Sequence, residues 1–319
     1  MTYIKTKSMS LSKIRYASVL IICGICIAAS LMASEEITDV IFETLSSSVR
    51  GVIPSVFPFM LISSFMTSYG ISDSFAVFPG GILCKLFGIP PRASVGVTMG
   101  LISGFPVGAS VICDLRRAGL LTDKEAEHAL PYAHNTGPAF PVSFIGTYLW
   151  HSTLFGLAVY ISQVLALTVL ALADGNNKKF TSTNEPRHTK GKSLAGAVTC
   201  AVVSSARGCI DLVGFIVFFS LCAKGLSMLL PPHMSVVSSL IASVLEVSTG
   251  VSESAVTGGV IGAALTGFAV GFGGISALMQ ASLHAEAAGI SFKRCVRIKF
   301  FQGIVTAVFC CVAYTLIFR

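Results

Sequence analysis

The chain alternates long apolar runs with short polar or basic connectors. Runs near the twenty or so residues that a helix needs to cross a bilayer extend from Ala17 to Ala33, Val52 to Tyr69, Ser152 to Ala173, Cys209 to Leu230 and Phe300 to Phe318. Each predicts a spanning helix. Four further apolar stretches, Ala93 to Cys113, Pro131 to Trp150, Ser235 to Thr249 and Ala255 to Leu283, hold Gly, Pro or polar residues, and they predict broken spans or re-entrant hairpins. The clearest interruptions are Gly100-Leu101-Ile102-Ser103-Gly104-Phe105-Pro106-Val107-Gly108 and Asn135-Thr136-Gly137-Pro138-Ala139-Phe140-Pro141. In lipid a broken helix leaves backbone N–H and C=O groups without partners, so it persists only inside protein or along a watery cavity. Transporters use such breaks to hold a solute near the bilayer midplane.

Composition fixes the class. The 319 residues are 53% hydrophobic and 12% charged, where a soluble domain carries about 25% charge. Residues 1–46 read as a retained anchor helix with a short extracytoplasmic segment. Lys5, Lys7, Lys13 and Arg15 precede its apolar run and Glu35, Glu36, Asp39 and Glu43 follow it, which predicts a cytoplasmic N-terminus. The net charge of +7 is a topology signal and not a nucleic-acid footprint. The linker 174–193, with Lys178, Lys179, Arg187, Lys190 and Lys192, and the cluster Lys293, Arg294, Arg297 and Lys299 are expected on the cytoplasmic side. The ten cysteines lie mainly in apolar segments, and Cys23-x-x-Cys26 reads as a pair of small hydrophobes. No disulfide, metal or other cofactor is expected. Neither G-x-S-x-G, H-E-x-x-H nor a Walker A lysine loop is present, so the chain is not expected to be an enzyme.

Two halves echo one another. Ser47-Ser48-Val49-Arg50-Gly51-Val52-Ile53 aligns with Ser204-Ser205-Ala206-Arg207-Gly208-Cys209-Ile210, and both lead into a long apolar run. Leu101-Ile102-Ser103-Gly104 pairs with Val247-Ser248-Thr249-Gly250, and the Gly137-Pro138 break pairs with Gly271 to Gly274. Residues 47–173 and 194–319 therefore read as two repeats, each a leading helix followed by interrupted segments, as in repeat-built secondary transporters. An inverted relation between them is favoured.

Several polar residues are candidates for chemistry. Thr122 and Glu125 form a capping box for a short helix that Pro131 should end. Glu246 is the sole charge within Ser235 to Val251. A carboxylate in a membrane segment normally faces a cavity or a partner, which makes it a coupling or ligand residue that suits proton transfer; the alternative is an interfacial Glu at a helix end, since Glu253 follows seven residues later. His134 and Asn135 precede the Gly137-Pro138 break and address a ligand or cap the restarting helix. Gln280 bonds a solute or another helix. Half-helices starting near Ser103-Gly104 and Thr249-Gly250 would aim N-terminal amides at the midplane, where they attract anions. The expected binding set is Ser103, Gly104, Pro106, Gly108, Asn135, Gly137 and Pro138 from the first half, with Glu246, Ser248, Thr249, Gly250 and Gln280 from the second.

Three blocks carry a family resemblance. They are Gly100 to Ala109, Arg117-x-Gly119-x-Leu-Thr122-x-x-Glu125-Ala-Glu127, and Asn135-x-Gly-Pro-x-Phe140. With Leu245-Glu246-Val-Ser-Thr-Gly250 and Gly273-Gly274-Ile-Ser-x-x-x-Gln280, the chain resembles the YlbJ-type sporulation integral membrane proteins of the nucleoside recognition, or Gate, domain group. The resemblance implies an all-α polytopic fold with two gate-type repeats, similar to concentrative nucleoside transporters. It also implies a place in an endospore-forming cell and dipicolinate as the solute moved. The leading expectation is a secondary transporter or gated pore for a small polar or anionic metabolite. Nucleoside transport and a non-transporting membrane scaffold are the alternatives. The expected partners are the solute, the lipid bilayer and, for a homo-oligomer, further copies of the chain.

Overall fold

Among the described residues the apolar runs fold as helices separated by short breaks. The computed structural model describes residues 24, 33–174, 191–231 and 233–318, with the backbone alone for 72–79. Most of the Ala17 to Ala33 run, its preceding basic residues, and the linker residues 175–190 lie outside this set. No strand occurs among the described residues.

The element order is α1 (Ser34–Ser47), a π-helical turn (Ser48–Val52), α2 (Ile53–Tyr69), α3 (Ser72–Phe87), α4 (Ala93–Ser103), α5 (Val107–Arg117) and α6 (Asp123–Ala133). A π-helix (Phe140–Leu149) and α7 (Thr153–Ala173) complete the first half. The second half contains α8 (Leu194–Ser227), α9 (Ser235–Leu245), α10 (Val247–Thr257), α11 (Gly259–Phe272), α12 (Gly274–Ala287) and α13 (Lys293–Ile317). Among the described residues five stretches are long and apolar enough to cross a membrane: Ser34–Tyr69, Thr153–Ala173, Leu194–Ser227, Gly259–Ala287 and Lys293–Ile317. The residues from Thr44 onward form one compact unit in which the two halves interleave, and Met1–Glu43 is a separate unit.

Several boundaries differ from the sequence expectation. Helix α8 begins at Leu194, not Cys209, because Ser193 caps it, its hydroxyl accepting the Gly196 N–H. Helix α13 begins at Lys293, not Phe300, so the basic cluster is helical. Pro131 sits inside α6, which runs on to Ala133; a proline in a last turn removes one N–H bond but does not stop the two residues after it. The Thr122–Glu125 capping box is present in full.

The two interrupted stretches of the first half take different forms. Ala93 to Cys113 is a hairpin of α4 and α5 packed side by side, whereas α6 and the π-helix Phe140–Leu149 do not pair with each other and so form one broken helix. The second half repeats this division, with α9 and α10 as the hairpin and α11 and α12 as the broken helix. Corresponding long helices run antiparallel. The Lys192 N–H just before α8 donates to the Ser68 carbonyl at the end of α2 (2.9 Å). Asp174 at the end of α7 pairs with Arg294 at the start of α13 (2.6 Å), and at the other end Phe155 packs on Tyr314 and Phe318.

Candidate functional site

Four breaks in the helices meet at one place. The first is the tip of the α4–α5 hairpin, where Gly104 takes φ 82 and ψ −173, a backbone region essentially closed to side chains. Pro106, which has no N–H to lose, then precedes α5. The second runs from His134 to Ala139 between α6 and the π-helix. The third is Glu246, whose extended backbone (φ −149, ψ 128) ends α9 and starts α10. The fourth is Gly273 at φ 86 between α11 and α12. Their closeness is steric: a Cβ on Gly104 would stand 2.7 Å from the Gly137 nitrogen, and one on Gly274 would stand 3.1 Å from the Val247 nitrogen.

Three of these breaks line a small, open-sided cavity. They contribute Ser103 to Pro106, Thr136 with Gly137, and Val247 with Ser248, while the leading helices α2 and α8 supply apolar walls that include Val56, Met60 and Leu212. Hydroxyls and backbone at helix breaks against apolar walls make a site for a small solute with a few polar groups. The first-turn amides of α5 carry no side-chain cap, and free N-terminal N–H groups favour an anion.

The sequence-expected residues divide. Ser103, Gly104, Pro106, Gly137 and Ser248 line the cavity. Asn135 lies one residue behind the lining and is fully engaged: its Nδ2 donates to the Tyr132 carbonyl (2.8 Å), and its Oδ1 accepts from Lys299 Nζ and Gln302 Nε2 (both 3.1 Å). Gly108 and Gly250 serve packing. A Cβ on Gly108 would strike the Ala133 carbonyl and Gly100, and one on Gly250 would strike the Ser243 backbone. Half-buried Pro138 starts the π-helix, its carbonyl accepting the Val142 N–H (3.0 Å). Gln280 is buried in α12, and its Nε2 has no partner among the described residues.

Glu246 is itself the break between α9 and α10. Its carboxylate caps α10, accepting the Thr249 N–H (2.7 Å) and the Thr249 hydroxyl (3.1 Å). Ser220 of α8 holds that hydroxyl from the other side (2.5 Å). The half-helix therefore starts at Val247 and not near Thr249-Gly250, and the first-half counterpart starts at Val107 and not near Ser103-Gly104. Glu246 sets the start of α10 by capping it, and Pro106 precedes α5 with no side-chain cap. At 1% exposure the carboxyl is held among donors in the second hairpin tip.

Sequence reasoning missed three residues. Lys299 does not belong to a solvated cytoplasmic cluster: it is 1% exposed and donates to Asn135 Oδ1 and Gln302 Oε1 (2.7 Å). Its α13 face, with Cys295, Gln302, Thr306 and Cys310, recurs every three or four residues, which the sequence carries. Gln163 of α7 clasps Thr136: its Oε1 accepts the Thr136 N–H (3.2 Å) and hydroxyl (2.6 Å), and its Nε2 donates to the Thr136 carbonyl (3.0 Å). Gln302 completes the set by donating to the Gln163 carbonyl (3.2 Å). The Thr136 backbone groups that the break frees are thus met by Gln163 from the last helix of the first half, while Lys299 and Gln302 from the last helix of the second hold the Asn135 side chain.

No group of three or more metal-ligating side chains occurs among the described residues. No family model matches the chain, and no solved structure matches it significantly. Among characterised proteins, the sporulation integral membrane protein YlbJ of Bacillus subtilis (strain 168) is 23% identical over 303 residues, covering 81% of this chain and 72% of that protein. By that match, at modest identity, the chain is similar to the YlbJ-type sporulation integral membrane proteins, and it is itself an all-helical polytopic membrane protein.

Proposed function

We propose that the chain is a secondary transporter or gated pore for a small polar or anionic solute, bound where the four helix breaks meet. The observation that carries this reading is the cavity framed by hairpin tips and a broken helix, because unwound backbone at such depth is tolerated only where it is buried or lines a solute path. Two further features support it. Each half holds a leading helix, a hairpin, a broken helix and a closing helix in the same order, and the corresponding long helices are antiparallel. This order, with α3 as an addition in the first half, supports an inverted-repeat plan like that of transporters in which one half rocks against the other.

The similarity to YlbJ makes dipicolinate the first solute to test, and a membrane of the sporulating cell the first location. A planar ring suits the apolar walls, and carboxylates suit the free amides of α5. The N-terminus is proposed to be cytoplasmic by its basic flank. Gate motion would part the two hairpin tips, with Glu246 at the second tip as the coupling group.

The test is uptake of radiolabelled dipicolinate, with uridine in parallel, into proteoliposomes containing the wild type or Glu246→Gln under an imposed pH gradient. Dipicolinate flux that the substitution abolishes is the expected result. Uridine flux would redirect the assignment to nucleosides, and flux of neither would defeat the transport reading for these solutes in favour of a scaffold.

A further inference from the structure

We infer that His134 and Lys299 form a carboxylate-receiving subsite at the junction of the first-half break with Gly273, closed from the cavity by the ring of Phe105. This deepens the transport reading and rests on it.

His134 is completely buried, yet neither ring nitrogen has a hydrogen-bond partner among the described residues. Buried imidazoles are normally bonded, because each stranded polar group loses its hydration without return. Its position explains the exception. The ring lies face to face with Phe105 (centroids 5.2 Å apart, 29° between planes), and Phe105 itself lines the cavity. At the same edge, the position a Cβ on Gly273 would take is 3.6 Å from Nε2 and 4.0 Å from the Phe105 ring. His134 thus sits behind a single aromatic ring, with the glycine of another break leaving room beside its nitrogen.

Lys299 is the second half of the subsite. It reaches the same break, since Nζ donates to the side chain of Asn135, the residue that follows His134. Its ammonium donates to two neutral amide oxygens, Asn135 Oδ1 and Gln302 Oε1, and an ammonium has three donors. No carboxylate lies within ion-pair distance of it among the described residues. Charges buried in membrane proteins are normally paired or face a transport path. Glu246 does not fill the role, since its carboxylate caps α10 through Thr249. One carboxylate of a solute moving inward past Phe105 would meet an imidazole N–H and the remaining ammonium N–H, both charge-assisted. Access requires only that the Phe105 ring, at a hairpin tip and half-buried, swing from its stack.

The test is equilibrium binding to the full chain in nanodiscs, with benzoate and uncharged benzamide as probes of equal shape. The wild type should bind benzoate at least tenfold more tightly than benzamide. His134→Asn and Lys299→Gln should each bring that ratio within twofold of unity, Lys299→Arg should retain it, and Phe105→Ala should keep the ratio while speeding association. If Lys299→Gln does not fold, His134→Asn decides alone. A wild-type ratio near one, or a ratio unchanged in His134→Asn, overturns the subsite. Anion selectivity lost in His134→Asn without any solute flux in proteoliposomes would sink the transport reading and leave the subsite standing. Flux without selectivity would do the reverse.

Discussion

Replacing Gln163 by leucine tests whether side chains hold the first-half break in place. The substitution keeps volume and apolar surface but removes three hydrogen bonds to Thr136, of 2.6, 3.0 and 3.2 Å. Counting each stranded group at the penalty of a soluble core, about 1 to 3 kcal/mol, would give a loss near ~6 kcal/mol. In a bilayer the unfolded chain also finds polar partners, and measured side-chain bonds there average about 0.6 kcal/mol. The membrane value governs, because α7 remains a helix in lipid when the tertiary fold is lost. The expected destabilisation of Gln163→Leu is therefore about 2 kcal/mol. It is read by unfolding in mixed micelles with increasing SDS, beside Thr136→Val and the double variant. The cycle should return a coupling of about 0.6 to 1.7 kcal/mol. A loss below about 0.5 kcal/mol, the range of ordinary surface substitutions, or strict additivity of the two variants, would refute the claim that Gln163 fastens the segment.

Other perturbations follow from the same geometry. Gly100→Ala would drive a methyl into the Ala133 carbonyl, backbone that cannot rotate away, and should cost about 1 to 3 kcal/mol or abolish folding, read as loss of the monodisperse peak in size exclusion. Glu246→Ala removes the cap of α10 and should lower stability by about 1 kcal/mol, whereas Glu246→Gln keeps an acceptor oxygen and should unfold close to the wild-type midpoint even if flux is lost. Arg294→Met breaks the pair with Asp174 and the contact to His128. The effect on the melting temperature should correspond to under about 1 kcal/mol and shrink at high salt, as for a partly exposed pair.

How far the chain could be read depended on whether a feature had local chemistry. The breaks at Gly104-Phe105-Pro106 and at Gly273 were legible because glycine or proline inside an apolar run has few other uses. The α6 start was equally plain, since Thr122 and Glu125 satisfy each other's donors within four residues. Glu246 was picked out as a charge but not as the break itself, because Leu245-Glu246-Val247 contains no breaker and the cap bond depends on a rotamer. Lys299 was hidden by its neighbours: Lys293, Arg294 and Arg297 make a basic cluster whose average property is solvation, and only the three-to-four spacing from Cys295 to Cys310 separates it. Gln163 carried a signal that went unused, a lone amide in the middle of a 21-residue apolar helix. Which break each of these side chains serves is set by tertiary packing, which no local pattern encodes.

The partners of Asn135 carry a consequence for biosynthesis. Lys299 lies 164 residues further along the chain, and ribosomes add about 5 to 20 residues each second. The first half therefore waits roughly 10 to 30 s in the bilayer with Asn135 Oδ1 unmet, until the last helix is made. During that interval the nascent chain presents a polar notch to lipid, which a chaperone or the insertion machinery must shield. A ribosome stalled before Lys299 would leave a full set of spans already synthesised in the first half, with its centre still open.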